Sequence, residues 1–417
     1  MDKLKIGIFL QSYIDDRVGG GFSYLTTLIE AIDNYKFDPQ LELSFIDTGS
    51  SNHLPVRNKI LRIEPHKIIP RKTKYSDYFN TTYLRPTKKL LKPIKRLNQW
   101  LETAFEKEYY KAIELELKKN EVDLIYYITP EPHKLNYPFV CTHWDAGHRS
   151  MFCFPEVAMN DSFAYRQHYF QTTIEKAFAV YCESNAGRKE LIRYTGINEE
   201  RLFVVPLFPG KVVDLFVNES DQARHLHNYG LTANAFFFYP AQFWSHKNHY
   251  NLLLAFKKLN EIYPQIKLLF TGSDKGNLEY IKKVLVDLHL ENNVVMPGFV
   301  EVEEIHSFYK NALALVMPTF LGPTNMPLLE AEALGCPVIC SDLEGHREML
   351  NKNASYILPD DPQTIFDALL IHSSSVGEKA NQINPVFNIQ NAVKQIESNF
   401  LKIKPRRKSF GSNFNQF

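Results

Sequence analysis

Short apolar runs alternate along the chain with longer segments in which apolar residues recur every three or four positions. The runs predict buried strands, and the longer segments predict amphipathic helices. Leu4–Leu10 and Phe22–Ile32 form the first strand–helix pair, and Ile389–Leu401 predicts a terminal helix. Strands that alternate with helices favour an α/β fold with doubly wound parallel sheets.

A chain of 417 residues is long for a single hydrophobic core, so two domains are expected. We predict one Rossmann-like domain at residues 1–210 and a second at 211–385, with a polar connection that extends to about residue 234. Residues 386–402 would form the terminal helix, and 403–417 would form a flexible tail.

The segment Leu313–Leu350 predicts one complete strand–loop–helix–strand unit. Gly322-Pro323 requires a loop, and Asn325 is a candidate N-cap of the helix that follows. Such loops lie at the carboxyl edge of the sheet, where open α/β folds bind ligands. The sequence therefore predicts a ligand site at this loop.

The start of this helix is a candidate phosphate site, because its N–H groups and the helix dipole favour anions. The candidate contacts are Thr324, Asn325, Met326, Pro327 and Leu328, with Asn325 to Leu328 directed out of the helix start. Glu330, one turn further on, is placed to accept hydrogen bonds from two vicinal ribose hydroxyls. A glutamate that only favours the first helical turn is an equal alternative.

A lysine precedes another predicted helix in the second domain. Lys247 follows the predicted strand Ala235–Tyr239 and comes just before a helix with Leu252 and Phe256 on its apolar face. Its ammonium group can neutralise a diphosphate beside a helix start. An ordinary surface lysine is the alternative, and it is the commoner case.

Polar residues also follow the predicted strand Phe139–Thr142. His143, Asp145 and His148 are candidates for contact with a sugar hydroxyl or for orientation of a proton carrier. The alternative is that His143 is a core histidine and Asp145 a turn residue. The sequence does not decide which histidine faces the site.

Glycines separate the first predicted strand from the first helix. The loop Asp15–Gly21 ends in three glycines, which allow a ligand to approach the backbone closely. Gly20 and Gly21 are therefore candidate contacts. A flexible turn is the alternative, and the residues alone favour it.

Charge and composition exclude some functions. The net charge of +1 and the lack of an RNA- or DNA-reading motif argue against a nucleic-acid partner. Residues 57–97 are locally basic with interleaved aromatic residues, so this insertion would lie on an anionic bilayer or, equally, be a solvated helical face with a loop.

The predicted compartment is the cytoplasm. The five cysteines have no CxxC spacing, which indicates free thiols in a reducing environment. The N-terminus lacks the features of a signal peptide, and no apolar run is long enough to span a bilayer. Any membrane contact is therefore expected to be peripheral.

The stretch PTFLGPTNMPLLEAEALGCPVI resembles the donor-site signature of the family 4 retaining glycosyltransferases, which have the GT-B fold. In that family two glutamates stand eight positions apart. Glu330 matches the second, whereas Gly322 stands at the place of the first. The family pair Arg-x4-Lys is matched by Lys247, with Gln242 at the arginine position. The GPTNMP form is similar to a variant loop of bacterial polysaccharide glycosyltransferases.

The resemblance implies roles for individual residues. The implied catalytic residues are His143, Asp145, His148 and Lys247. The implied donor-binding residues are Gly20, Gly21, Gln242, Lys247, Gly272, Gly298, Phe299, Thr324, Asn325, Met326, Pro327, Leu328 and Glu330. Among them, the loop that contains Gly298 and Phe299 would contact the nucleotide base through its backbone.

The implied activity is transfer of a hexosyl or deoxyhexosyl group from a nucleotide diphosphate sugar to a glycan or lipid-linked acceptor, in surface-polysaccharide biosynthesis. The anomeric configuration would be retained, and neither a metal ion nor another cofactor is expected. The first domain would bind the acceptor, the second the donor, and the terminal helix would cross back to the first domain. The alternative, favoured by Gly322 and Gln242, is a catalytically degenerate relative that binds a nucleotide sugar or a partner enzyme.

Overall fold

The computed structural model describes residues 2–9, 20–48, 56–63, 107–130, 134–350, 354–374 and 384–411. Within these ranges the chain forms a seven-stranded and a six-stranded sheet, and the paired strands run parallel. The predicted α/β fold with two doubly wound sheets is confirmed.

The strands of the first sheet are β1 (Leu4–Phe9), β2 (Leu41–Asp47), β3 (Ile60–Arg62), β4 (Leu124–Tyr127), β5 (Phe139–His143), β6 (Ala179–Cys182) and β7 (Leu202–Val204). Those of the second sheet are β8 (Phe236–Pro240), β9 (Lys267–Thr271), β10 (Val294–Gly298), β11 (Ala314–Met317), β12 (Val338–Ser341) and β13 (Ser355–Ile357). Their spatial orders are β3-β2-β1-β4-β5-β6-β7 and β10-β9-β8-β11-β12-β13.

Helices cover both sheets. In the first half of the chain they are α1 (Gly20–Asn34), α2 (residues 107–119), α3 (Gly147–Ser150), α4 (Pro155–Ala158), α5 (Ser162–Thr172) and α6 (Asn185–Thr195). In the second half they are α7 (Glu219–Asn228), α8 (His249–Ile262), α9 (Leu278–Asp287), α10 (Val302–Asn311), α11 (Met326–Ala333), α12 (Glu344–Met349), α13 (Pro362–Ser374) and α14 (Ile389–Lys408). Strands β4, β5, β6, β11 and β12 are buried along their whole length, as expected between two helical layers.

The strand order of each sheet reverses beside a central strand. In the second sheet β8 lies between β9 and β11, so the loops that follow β8 and β11 emerge side by side. Open α/β sheets bind ligands at the carboxyl ends of strands beside such a reversal. The loops in question are residues 241–248 and 318–325, which contain Gln242, Lys247, Thr324 and Asn325 of the predicted donor-site residues.

The terminal helix crosses back to the first domain, as predicted. The Tyr35 hydroxyl donates to the Glu397 carboxylate across 3.1 Å, and the Phe400 ring lies 5.8 Å from the rings of both Tyr126 and Tyr181. These contacts place α14 against the first sheet.

The prediction of a flexible tail from residue 403 is wrong for the described residues 403–411, because α14 continues to Lys408. The Arg407 side chain is 1% exposed, and its guanidinium donates to the carbonyl of Asp123. Lys408 contacts the Asp123 carboxylate at 2.9 Å. These contacts with the first domain hold the last turns of the helix in place, whereas residues 412–417 lie outside the described ranges.

The prediction of an irregular polar connection also needs correction. The polar connection up to residue 234 contains a helix, α7, whose N-cap Asn218 accepts a hydrogen bond from the N–H of Asp221. Of the basic segment 57–97, the structure describes residues 57–63, which contain strand β3. Its remainder from residue 64 lies outside the described ranges, and none of the helices that the structure describes is long and apolar enough to cross a membrane.

Candidate active site

The strand reversal in the second sheet brings Lys247 to Asn325. The Lys247 ammonium donates to the Asn325 side-chain oxygen across 3.0 Å. Lys247 ends a short 3-10 turn, Ser245–Lys247, and its carbonyl accepts a hydrogen bond from the Tyr239 hydroxyl. Asn325 occupies the N-cap position of α11, as predicted, but its side chain makes no capping bond and contacts Lys247 instead.

A buried histidine fixes the orientation of the Asn325 amide. The His346 Nδ1 lies 2.8 Å from the Ser341 carbonyl, so Nδ1 carries the proton, and Nε2 accepts from the Asn325 amide nitrogen at 3.0 Å. Burial lowers the pKa of His346 to about 4, so the ring is neutral at pH 7. Ser341, His346, Asn325 and Lys247 thus form one hydrogen-bonded chain, which we call the lysine network.

The Lys247 ammonium group is buried at this edge of the second sheet, whereas the residue as a whole is half-buried. Burial lowers its pKa to about 8, and the negative charge of Asp145 in the first domain opposes that shift. The group therefore remains largely protonated at pH 7. A buried cation beside a helix start favours an incoming anion such as a phosphate.

Two glycines determine the path of the loop before α11. Gly322 has a φ of +114°, a conformation that side-chain-bearing residues rarely adopt, which explains why no glutamate stands there. A Cβ on Gly345 would lie 1.6 Å from the Pro323 carbonyl oxygen. The first turn of α12 can approach the loop this closely only because residue 345 is glycine.

The N–H groups at the start of α11 are fewer than predicted. Pro327 has no N–H, and the Leu328 N–H already donates to the Asn325 carbonyl at 3.2 Å. Of the four residues from Asn325 to Leu328, only Asn325 and Met326 therefore keep a backbone N–H for a phosphate.

Glu330 lies at the crossover between the domains. Its carboxylate accepts from the Gly210 N–H at 3.2 Å and from the Tyr309 hydroxyl at 2.9 Å. Burial raises its pKa, and these two hydrogen bonds oppose that shift. A Cβ on Gly210 would lie 2.5 Å from the Ser23 hydroxyl, so this glycine permits the start of α1 to approach Glu330.

The other predicted donor contacts occupy loop positions around this region. Gly272 directly follows β9, and Gly298 is the last residue of the neighbouring strand β10. The Gly272 N–H donates to the Gly298 carbonyl at 2.9 Å. Phe299 is 57% exposed, and the Gln242 side chain accepts from the Trp244 indole at 3.1 Å. In the first domain, Gly20 and Gly21 begin α1 rather than ending a loop.

The candidate residues of the first domain have distinct environments. His143 is the last residue of β5 rather than a residue beyond it, and burial lowers its pKa to about 4. His148 is fully buried, and its ring lies 4.7 Å from that of Phe170 and 5.4 Å from that of Phe163. Both imidazoles are therefore buried in aromatic surroundings.

Asp145 is held as a carboxylate. It accepts from the Arg166 guanidinium and from the Gly147 N–H, each at 2.8 Å. Burial opposes ionisation, but Arg166, the Gly147 N–H and His143 together outweigh it and hold the pKa of Asp145 below its usual value. Its negative charge acts on Lys247 across the cleft between the domains.

Glu183 is a candidate site residue that was not predicted from the sequence. This residue directly follows β6 and is 7% exposed, and its carboxyl oxygen accepts from the Thr324 hydroxyl of the second domain at 2.7 Å. Burial and the nearby charge of Asp145 raise the pKa of Glu183 to about 8. Its signal was a carboxyl group next to a buried strand end, the same signal that identified Asp145.

The described residues contain no group of three or more histidine, cysteine, aspartate or glutamate side chains that could hold a metal ion. The arrangement offers one buried cation, one ionised carboxylate and one neutral carboxyl group on facing sides of a cleft. Such a set can bind an anionic leaving group together with hydroxyl groups.

Comparisons with known proteins agree with this geometry. Residues 226–399 match the family described as Glycosyl transferases group 1, and the match includes the whole lysine network. The O-antigen chain mannosyltransferase RfbU of Salmonella typhimurium is 31% identical over 153 residues, which cover 36% of this chain and 40% of RfbU. The chain thus spans about two fifths of the length of that relative.

Two solved structures show the same fold. Sucrose-phosphate synthase from Thermosynechococcus elongatus superposes with a TM-score of 0.66 at 18% identity, over 97% of this chain and 100% of that chain. HepE from Anabaena, in complex with UDP-glucose, superposes with a TM-score of 0.63 at 16% identity, over 95% and 99% of the two chains. The chain therefore has the GT-B fold, and its residues 226–399 match the family Glycosyl transferases group 1.

Proposed function

We propose that this protein is a retaining glycosyltransferase that moves a hexosyl group from a nucleotide diphosphate sugar to a glycan or lipid-linked acceptor in surface-polysaccharide synthesis. The observation that carries the proposal is the 3.0 Å contact between Lys247 and Asn325 at the start of α11. It places a fixed positive charge where the second sheet offers its ligand crevice.

The reaction places negative charge on the leaving diphosphate and positive charge on the sugar ring. A preorganised ammonium group stabilises the departing phosphate without moving during the reaction. The lysine network supplies that preorganisation, because each of its members is fixed by the next. The leaving phosphate itself would accept the proton of the acceptor hydroxyl, so the proposal requires no protein nucleophile.

The donor is proposed to carry a hexose. RfbU is named a mannosyltransferase, and HepE was solved with UDP-glucose, so GDP-mannose and UDP-glucose are the first donors to test. We further propose that the enzyme is cytoplasmic and that its activity does not require a metal ion. Residues 57–97 would supply its peripheral contact with the inner face of the cell membrane.

The first experiment is a thermal-shift screen against UDP, GDP and their glucose and mannose derivatives, followed by mass-spectrometric detection of transfer. A bound nucleotide raises the melting temperature with concentration. The Glu330→Ala variant should lose the shift, whereas Glu344→Ala, which changes an exposed glutamate of the same domain, should keep it. Transfer that persists in excess EDTA would support metal independence.

The outcome also separates the two candidate functions. Binding without transfer for every donor and acceptor tried would favour the catalytically degenerate relative. A full thermal shift in the Glu330→Ala variant would contradict the proposed donor site.

A further inference from the structure

A carboxyl group of the first domain lies directly over the loop that precedes α11. Glu183 Oε2 accepts from the Thr324 hydroxyl at 2.7 Å, and the next residue, Asn325, contacts the Lys247 ammonium. Thr324 and Asn325 are adjacent residues of one loop, and their Cα atoms lie about 3.8 Å apart. The Glu183 carboxyl group and the Lys247 ammonium group therefore contact neighbouring residues. The loop itself, residues 318–325, contains no acidic residue.

We infer that Glu183 is a sugar-binding residue, whose carboxyl group binds a hydroxyl of the transferred sugar when the two domains are closed; this inference rests on the proposed function. The sugar of a nucleotide diphosphate sugar is attached to the outer phosphate. A diphosphate bound near Lys247 would therefore place the sugar within reach of the groups beside that cation. Glu183 is such a group.

The protonation state of Glu183 suits this role. A neutral carboxyl group can both donate and accept a hydrogen bond, which matches a sugar hydroxyl that does the same. An ionised carboxylate at this place would repel the diphosphate and the neighbouring Asp145. With a pKa of about 8, Glu183 is largely neutral at pH 7, whereas Asp145 keeps its charge through Arg166.

Closure of the cleft does not require Glu183, because other contacts join the domains. Glu348 of α12 accepts from the backbone N–H groups of Asn185 and Ala186 at the start of α6. The Glu156 carboxylate accepts from both the backbone and the ring of His246. A buried carboxyl group costs stability unless it is compensated, so a position used only for packing would favour an apolar side chain.

The test compares binding of a nucleotide with binding of the corresponding nucleotide sugar, by titration calorimetry, in Glu183→Met, Glu183→Gln and the wild type. The probes are UDP with UDP-glucose and GDP with GDP-mannose. Loss of one neutral hydrogen bond should weaken sugar-nucleotide binding by Glu183→Met about tenfold, with binding of the free nucleotide unchanged within about twofold. Glu183→Gln, which keeps a donor and an acceptor, should retain most of the affinity.

The melting temperature supplies a second readout. Methionine has a similar length and no buried polar group, so Glu183→Met should melt at or above the wild-type temperature. Glu344→Gln is the matched control, because it removes another carboxylate that joins the domains, through an exposed ion pair with Lys189, and should alter neither affinity.

Each outcome decides the matter. Equal affinities of Glu183→Met and wild type for the sugar nucleotide, or an equal loss for nucleotide and sugar nucleotide, would overturn the sugar-binding role while leaving the proposed function intact. Failure of the wild type to bind any of the four probes would instead overturn the proposed function, and this inference with it.

Discussion

The two sides of the cleft present their polar groups in different ways. On the side of the second domain, Lys247, Asn325 and His346 are joined by hydrogen bonds within one domain. On the side of the first domain, the two candidate histidines are buried against aromatic rings. The carboxyl groups of Asp145 and Glu183 act across the cleft on Lys247 and on the loop before α11.

The difference suggests that the two domains have separate roles, with charge stabilisation by the second domain and sugar binding by the first. In the proposed reaction, the cation that stabilises the leaving group needs to be in place beforehand, and the hydrogen bonds that hold Lys247 all lie within the second domain. Glu183 instead reaches its partner Thr324 only across the cleft, so this contact depends on how the domains meet. Substitutions on the second-domain side therefore test the proposed charge stabilisation, and substitutions on the first-domain side test the proposed sugar recognition.

The largest expected effect comes from removal of the cation. Lys247→Ala should lower kcat/KM about a thousandfold, because the leaving phosphate loses its fixed positive charge. The comparison variant is Lys258→Ala, which removes an exposed lysine of α8 that contacts Gln363. The kcat/KM of each variant is measured from initial rates with the donor identified in the thermal-shift screen. Similar rates for the two variants would show that Lys247 does not act on the leaving group.

The next effect should come from the histidine that positions Asn325. His346→Leu removes the closer acceptor of the Asn325 amide and leaves only the Gly322 carbonyl at 3.4 Å. The amide is then held less firmly against Lys247, so kcat should fall about tenfold. His346→Gln can still accept from Asn325 and should recover part of that loss. If His346→Leu lost kcat only because the protein became less stable, His346→Gln would not be expected to recover kcat.

A second histidine serves as the control for His346. His372 contacts the Ser355 hydroxyl at 3.0 Å in the same domain, away from the lysine network. His372→Leu should lower the melting temperature without a change in kcat. If both leucine variants lose kcat in proportion to their melting temperatures, the positioning role of His346 is contradicted.

The pH dependence reports on the same cation. Because the pKa of Lys247 is about 8 in the folded protein, binding of UDP or GDP should weaken above pH 8, by up to tenfold per pH unit. The unfolded chain has the ordinary lysine pKa of 10.5 and binds more protons between these values, so this group makes the free energy of unfolding rise from pH 8 to 10.5. Glu183 also ionises near pH 8 and would then repel the diphosphate, so the profile is measured in the Glu183→Gln background. When Lys247→Met is added to Glu183→Gln, the alkaline loss of nucleotide binding should disappear, and an unchanged profile would assign that loss to another group.

The sequence predicted the second-domain side of the site better than the first-domain side. Lys247 and Asn325 each follow a buried strand and precede a helix, and parallel topology then brings such loops together at one edge. Gly322 was recognised as a departure from the family pattern, but the reason, its positive φ, depends on the folded loop.

Contacts between distant parts of the chain account for what the sequence did not reveal. Arg407 is buried against Asp123, which lies 284 positions earlier, so the extension of α14 to Lys408 has no local signal. Glu183 meets Thr324 across 141 positions, and its raised pKa follows from the burial that this meeting produces. Local periodicity cannot report either pairing.

The smallest expected effect concerns His148, which the sequence proposed as a catalytic residue and which the structure buries completely. Its ring contacts those of Phe163 and Phe170, so a phenyl ring can take its place with similar edge contacts. His148→Phe should leave kcat within about twofold of wild type and should not lower the melting temperature, because no buried ring nitrogen then remains. Asp145→Asn, at the same strand end, provides the contrast, since it removes the negative charge that acts on Lys247. If His148→Phe lost as much kcat as Asp145→Asn at an unchanged melting temperature, His148 would have a role in the reaction and this prediction would be wrong.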